Sequence, residues 1–186
     1  MRAGIACMIL LVLAGCNSVK TYDAKYAQHL SQQQRLDIER WNMQGRLLIR
    51  SDEMLTANLQ WQHNKQKDML KLSGALGLGA MQIELDEHEI VLHDAQGGRQ
   101  ASQDIDAFIA RQIGFVAPIT ALRRWVLGAY LNGVPVVLQE NGFLQLGWRI
   151  TFKEYMDTAA GILPHSITIT KNNIKLKLIV DRWEIE

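Results

Sequence analysis

The stretch Leu55–Gln62, which reads LTANLQWQ, decides the fold. Each odd-numbered residue in it is apolar and each even-numbered residue is polar. This period of two is typical of a half-buried antiparallel β-strand, with one face on a core and one in water. The same alternation recurs in residues 81–85 (MQIEL), 144–152 (LQLGWRITF) and 174–178 (IKLKL). The chain is therefore predicted to be mainly β.

Shorter segments complete the predicted sheet, at residues 46–50, 68–73, 89–93, 134–138 and 167–170. Pairs such as Asp52-Glu53, Asp86-Glu87, Asn141-Gly142 and Asn172-Asn173 lie between these segments and are typical of turns. Many short strands at hairpin spacing predict one long antiparallel meander, and a sheet of that length curls.

Two helices interrupt the strands. Ser102 or Asp104 caps the first helix, which carries Ile105, Phe108, Ile109 and Ile113 on one face and stops at Gly114. Pro118 opens the second, with Ile119, Leu122, Trp125 and Val126 on one face and Gly128 at its end. Together they predict an α+β fold, mainly β, in which a curved, unclosed antiparallel half-barrel is covered by a helical lid and encloses an apolar cavity. The alternative is a plain α+β sandwich with a solid core, but the excess of inward aliphatic positions favours the cavity.

The N-terminal residues 1–15 are typical of an export signal. Arg2 supplies the positive charge, and the apolar run 5–12 is shorter than the ~20 residues that span a bilayer. The segment closes with Leu13-Ala14-Gly15-Cys16, a lipobox, in which the Cys16 thiol receives a diacylglycerol and becomes the first mature residue. The alternative is an ordinary signal peptide that has a cysteine near its cleavage point by chance.

The mature chain is divided into two parts. Residues 16–23 are predicted to be a lipidated tether, and residues 24–186 a single domain that opens with a thin amphipathic helix over 24–40. Removing Arg2 with the signal leaves 19 basic against 19 acidic residues, which argues against nucleic acid as a partner. Cys7 leaves with the signal and Cys16 takes the lipid, so no thiol remains for a disulfide.

The stretch 73–80, SGALGLGA, joins two predicted strands although it is apolar and rich in glycine. A surface loop is normally polar, so Leu76 and Leu78 are predicted to touch a membrane or a ligand, on a backbone that Gly74 and Gly77 leave easy to extend. The alternative is a tight turn whose leucines fold back into the core. A nucleotide-binding glycine motif requires a following helix, whereas a strand follows here.

Other chemistry lacks support in the sequence. The cluster 86–89 (DEHE) has no second ligand set at metal spacing, so neither a metal nor a cofactor is predicted. No Gly-x-Ser-x-Gly or His-Glu-x-x-His motif occurs, which argues against an enzyme and, in particular, against an envelope hydrolase.

Several motifs, in their order and spacing, resemble the LolB family of outer-membrane lipoproteins over nearly the whole mature chain. They are the lipobox, Trp41-x-x-x-Gly45-Arg46-Leu47, Leu59-x-Trp61, Gly74-Ala75-Leu76-Gly77, Leu122-Arg123-x-Trp125-x-x-Gly128, Trp148, Leu163-Pro164 and Trp183. The chain departs from the family pattern at Ala75, where the family loop has proline; the departure loosens the loop and leaves Leu78 as a second candidate beside Leu76. Asn17 differs from the aspartate that marks inner-membrane retention in enterobacteria, in agreement with outer-membrane placement.

The resemblance implies a function in lipoprotein transport. The protein would accept lipoproteins (the cargo) from the periplasmic carrier LolA, hold their acyl chains, such as palmitate, in the cavity and insert them into outer-membrane phospholipid. It would work as a monomer on the periplasmic face of the cell outer membrane, anchored through Cys16, with the exposed leucine at Leu76. The expected cavity wall is Leu59, Trp61, Ile83, Leu146, Trp148 and Leu178, with Phe108, Leu122 and Trp125 on the lid. The alternative is a structural or assembly lipoprotein of an outer-membrane machine, whose apolar loop docks a protein partner.

Overall fold

The computed structural model describes residues 21–23, 31–74 and 80–186. They form one antiparallel sheet in which eleven strands follow the order β7-β6-β5-β4-β3-β2-β12-β11-β10-β9-β8, and β1 pairs with β10 outside this path. The end strands β7 and β8 do not pair with each other, so the sheet is unclosed, as predicted. The strands are β1 Thr21–Asp23, β2 Arg40–Arg50, β3 Met54–Asn64, β4 Lys67–Ser73, β5 Met81–Leu85, β6 Ile90–His93, β7 Arg99–Ser102, β8 Val136–Gln139, β9 Gly142–Gln145, β10 Trp148–Thr158, β11 Gly161–Lys171 and β12 Ile174–Ile185.

The alternation in β3 sets the inner and outer faces of the sheet. Leu59, Trp61 and His63 are buried, whereas the even-numbered residues between them are exposed. Because β3 pairs residue for residue with β2, Met43 lies opposite Trp61 and Trp41 lies opposite His63. The Trp41 ring packs edge-on against Trp61, with the centroids 5.1 Å apart, and joins the inner faces of the two strands.

The two predicted central helices are confirmed. Helix α2 spans Ile105–Ile113; the Asp104 side chain caps it by accepting from the Ala107 N–H at 3.0 Å, and Gly114 ends it at φ +80°. Helix α3 spans Ile119–Trp125, directly after Pro118. The predicted helix over 24–40 is wrong in its C-terminal part. There the described helix, α1, is only Gln32–Leu36, closed at its N-terminus by a capping box on Ser31, and Arg40 already belongs to β2.

The N-terminal predictions fall mostly outside the described residues. The signal segment 1–15, Cys16 and residues 17–20 lie there, as do residues 24–30. The last three residues of the predicted tether are described, and they form β1, in which Thr21 pairs with Met156 and Asp23 with Glu154. Within residues 21–23, 31–74 and 80–186, no helix has the length and apolar character needed to cross a membrane.

Candidate functional site

An apolar pocket of about 130 Å³ lies between the inner face of the sheet and helices α2 and α3. The strands contribute Leu47, Ile49, Leu59, Trp61, Leu70, Leu72, Ile83, Ile90, Leu92, Ile167, Ile169, Leu176 and Leu178; the helical side contributes Phe108, Ile109, Gln112, Ile113, Ala117, Ile119, Leu122 and Val126. Of these lining residues, Gln112 alone has a polar side chain. The period of two brings the strand residues to one face, and the helical period of 3.6 brings Phe108, Ile109 and Ile113 to face them.

A second space, of about 190 Å³, continues the pocket toward one end of the sheet. The two spaces share a wall that includes Leu47, Ile83 and Ile113. The second space extends to Ser73 and Met81, which flank the loop between β4 and β5. The apolar space therefore runs from under the two helices to the base of that loop.

Six of the nine residues predicted for the cavity line the pocket: Leu59, Trp61, Ile83, Leu178, Phe108 and Leu122. Leu146, Trp148 and Trp125 do not. Contact of the six with acyl chains stays a prediction.

The placement of Leu146 corrects the sequence analysis. Residues 144–152 read as one continuous strand, but β9 ends at Gln145, and Leu146 and Gly147 form a two-residue turn with φ +54° and +75°. Positive φ at both residues is typical of a type I′ hairpin turn. The side chain of Leu146 is 46% exposed because it lies at the tip of this hairpin. The turn also inverts the expected alternation, so that Gln145 is buried and Leu144 is not.

The two tryptophans, Trp125 and Trp148, belong to solid core beside the pocket. The Trp125 indole is fully buried and donates to Gln145 Oε1 at 3.0 Å. Gln145 accepts from the Leu131 N–H at 2.9 Å and donates to the Leu131 carbonyl at 3.0 Å, which satisfies its buried amide. Trp148 packs against Phe115, with the ring centroids 6.4 Å apart.

The loop predicted to touch a membrane is described only at its borders. Leu76, Leu78 and Gly77 lie outside the described residues, as does Cys16. Gly74 is described; it follows β4 at φ +85°, a conformation that favours glycine, and a Cβ there would lie 3.1 Å from Asn58 Nδ2. The chain therefore leaves β4 through a left-handed glycine beside β3.

Sequence reasoning missed a buried polar cluster around Asp68, beside the pocket. Asp68 Oδ1 accepts from Trp61 Nε1 at 2.7 Å and lies 2.9 Å from His63 Nδ1. The other carboxylate oxygen, Oδ2, faces Arg123 Nε of α3 in a direct ion pair whose alignment departs from that of a hydrogen bond. The Asp68 side chain is fully buried, and that of Arg123 is 13% exposed. Asp68 occupies an inward-facing position in the alternation of β4. This position could have revealed the cluster from the sequence, because an aspartate on a core face requires a partner.

Two further cations tie helices to their surroundings. Arg124 of α3 donates to the Leu36 carbonyl at 2.9 Å, so α3 also holds the end of α1. Arg35 of α1 is buried and donates to the Leu127 carbonyl. Burial lowers the pKa of Arg35 and raises the pKa of the nearby Tyr155 phenol, since both charged forms lose hydration; the charge of each group partly offsets the shift of the other.

The chemistry of this site is that of apolar binding. Among the described residues, no three His, Cys, Asp or Glu side chains are arranged to hold a metal ion. The pocket instead presents aliphatic and aromatic carbon on all sides, a surface that suits hydrocarbon chains.

Comparison with known proteins identifies the family of this chain. A family model described as "Outer membrane lipoprotein LolB" matches residues 39–183. The outer-membrane lipoprotein LolB of Halorhodospira halophila is 28% identical over 182 residues, which cover 93% of this chain and 90% of that protein. Those of Nitrosococcus oceani and Aeromonas hydrophila are 26% and 27% identical, over 99% and 95% of this chain and 98% and 93% of their own lengths. With its unclosed antiparallel sheet and a family match over most of its length, this chain belongs to the LolB family of outer-membrane lipoproteins.

Proposed function

We propose that this protein is held on the periplasmic face of the outer membrane by a lipid on Cys16, accepts lipoproteins from the carrier LolA and inserts them into the membrane. The observation that carries the proposal is the apolar pocket between the inner face of the sheet and helices α2 and α3. The family, whose role is lipoprotein localisation, supplies the context.

An apolar pocket can drive this transfer without covalent chemistry. Each CH₂ of an acyl chain costs about 0.8 kcal/mol when it is exposed to water, so a chain moves readily only between apolar environments. A pocket lined almost wholly by hydrocarbon side chains offers such an environment to a chain that leaves LolA. No ATP is needed if this protein binds the chain more tightly than the carrier does and the bilayer binds it more tightly still.

The size of the pocket implies that the helices move when cargo binds. Pockets of about 130 and 190 Å³ are smaller than the ~300 Å³ at the lower end of ordinary ligand pockets. Helices α2 and α3 would therefore act as a lid and swing away from the sheet to admit an acyl chain. The Arg123–Asp68 ion pair joins α3 to β4 beside the pocket, and it would hold this lid at rest.

The loop between β4 and β5 would complete the transfer. The apolar space ends at Ser73 and Met81, on either side of this loop, so a chain leaving the pocket there would meet the loop first. Leu76 would enter the phospholipid layer and open a path for release, with Leu78 as its partner. The protein would work as a monomer, since one chain supplies both the pocket and the loop.

Transfer of a lipoprotein from its LolA complex to liposomes tests this proposal. Wild type is compared with Leu76→Glu and with Leu146→Glu, a matched control that places the same charge on the exposed hairpin turn of β9 and β10. We expect wild type and the control to accept and insert cargo, and Leu76→Glu to accept cargo without inserting it. If wild type neither accepts nor inserts cargo, the proposal fails, and the assembly-lipoprotein function takes its place.

A further inference from the structure

Four cations crowd the outer face of the sheet where β2 and β12 pair. Arg46 and Arg50 project outward from β2, Lys175 and Lys177 project outward from β12, and all four are exposed. Lys175 lies directly opposite Arg50, and Lys177 lies opposite Leu48, midway between the two arginines. We call these four residues the basic face.

The like charges of the basic face oppose folding. Residues directly opposite on neighbouring strands have their Cβ atoms ~5 Å apart, where like charges repel. Asp181 pairs with Arg46 at 3.0 Å, but Arg50, Lys175 and Lys177 have no ion pair with any described carboxylate. The nearest turn holds Asp52 and Glu53, and Asp52 accepts from Asn173 at 3.4 Å. The fold therefore keeps a repulsive arrangement that an external anion would relieve.

The basic face lies near the start of the loop between β4 and β5. A groove on the outer face is lined by Arg46 and Lys177 and reaches Gly74, where that loop begins. Met54, directly opposite Arg50 on β3, is 61% exposed. An exposed apolar side chain among cations is the combination that suits a phospholipid surface, where headgroups carry the charge and acyl chains lie beneath.

A polar groove at the opposite end of the strands is lined by the carboxylates of Glu84, Asp86 and Glu89 and by one cation, Lys67. The N–H groups of His88 and Glu89 donate to Asp86 Oδ1 at 2.8 and 3.1 Å and lower the pKa of that carboxyl, which keeps it ionised in more acidic solution. These carboxylates therefore lie away from the basic face and do not repel an anionic surface that meets it.

We propose that the basic face binds the anionic headgroups of a phospholipid bilayer, such as phosphatidylglycerol, and seats the protein with the β4–β5 loop against the membrane. This goes beyond the proposed transfer function and rests on it only for the role of the loop. Thr168 and Thr170, paired with Lys177 and Lys175, place hydroxyl donors beside the cations for phosphate oxygens.

Vesicle binding tests the proposal without the lipid anchor. A chain that begins at Asn17 keeps every described element, and its affinity is measured for vesicles of phosphatidylethanolamine alone and for vesicles that also contain phosphatidylglycerol. The test variant is Arg50→Gln with Lys175→Gln. The control, Lys67→Gln with Lys153→Gln, removes the same charge from exposed positions outside the basic face.

We expect wild type and the control to prefer the anionic vesicles, and added salt to weaken that preference. The test variant should bind them about 25-fold more weakly, at about fivefold per cation. Its midpoint of urea unfolding should stay unchanged or rise, because the substitutions relieve the repulsion between residues 50 and 175. The proposal is overturned if wild type does not prefer anionic vesicles, or if test and control variants lose affinity equally. The cargo-transfer assay measures acceptance and insertion of lipoprotein by wild type, so a failure of this proposal and a failure of the proposed transfer function can be distinguished.

Discussion

Replacing Arg123 with leucine removes the guanidinium that faces Oδ2 of the buried Asp68 carboxylate. The variant Arg123→Leu keeps the aliphatic part of the side chain on α3 and leaves Asp68 Oδ1 with its partners Trp61 and His63. It takes the ion-pair partner away from Oδ2. We expect a loss of stability together with a looser attachment of α3 to the sheet.

The magnitude follows from burial. Removing one partner of a buried ion pair costs about 3–5 kcal/mol, since the other charge stays desolvated. Two groups still contact Asp68 Oδ1, so the low end applies, and the expected loss is about 3 kcal/mol. At about 2 kcal/mol per M urea, the midpoint of unfolding should fall by about 1.5 M.

Urea unfolding followed by tryptophan fluorescence measures the loss. Arg182→Leu is the control, because Arg182 pairs with Glu184 at 2.8 Å with both side chains largely exposed, and such pairs contribute less than about 1 kcal/mol. A double-mutant cycle with Asp68→Asn isolates the pair: Arg123→Leu should cost much less once residue 68 is uncharged. Equal costs in the two backgrounds would refute the reasoning, as would a loss no larger than that of the control.

Two other predictions concern the glycines that follow helices α2 and α3 and the buried Tyr155 of β10. Gly114→Ala should cost about 1 kcal/mol of stability, through its left-handed backbone alone. Gly128→Ala should cost about 3 kcal/mol, because its φ is nearly the same but a Cβ at residue 128 would also lie 2.7 Å from Arg35 Nη1. Equal midpoints of urea unfolding for the two variants would contradict this. Burial raises the pKa of Tyr155, so its neutral phenol stabilises the fold at all pH values below about 10, and this contribution is lost as pH rises through the folded pKa. Tyr155→Phe should therefore lose less stability than wild type above that pH. Parallel curves of unfolding free energy against pH for the two proteins would contradict the assignment.

The strands of the sheet were predictable where the two faces meet different solvents. In β3 one face is buried and the other is wet, so the period of two is explicit in the sequence and gives both the strand and its orientation. The same holds for the first half of β12. The caps of α2 were predictable for a similarly local reason, since Asp104 and Gly114 act on the adjacent backbone.

The hairpin of β9 and β10 was not predictable from alternation. A two-residue turn leaves the sequence parity unbroken while it reverses the chain, so Leu144-Gln145-Leu146 reads as strand when Leu146 already lies in the turn. Burial of Gln145 depends on hydrogen bonds to Trp125 and Leu131, which only the tertiary structure supplies. The Asp68–Arg123 ion pair could not be predicted from the sequence for the same reason, since its two residues lie far apart in the chain.

The short strand β1 affects how far the domain would reach from a membrane that holds it through Cys16. The five residues from Cys16 to Thr21 span at most about 18 Å. If β1 were unpaired, the domain would begin at Ser31, and the fifteen residues from Cys16 to Ser31 would span about 50 Å. If Cys16 carries the proposed lipid, pairing of Thr21 with Met156 would shorten the chain between lipid and domain nearly threefold, and it would confine the domain to a volume about twentyfold smaller.

The end of the strands at which β1 begins matters as well. Because Thr21 pairs with Met156 and Asp23 with Glu154, the N-terminal end of β1 lies on the side of the β10–β11 turn, whereas Ser73 and Met81, which border the β4–β5 loop, lie toward the opposite end of the strands. Strands β12 and β2, which carry the basic face, lie midway between β10 and β4 in the strand order. A domain fastened at both places would lie along the bilayer, with its outer face turned to the lipid.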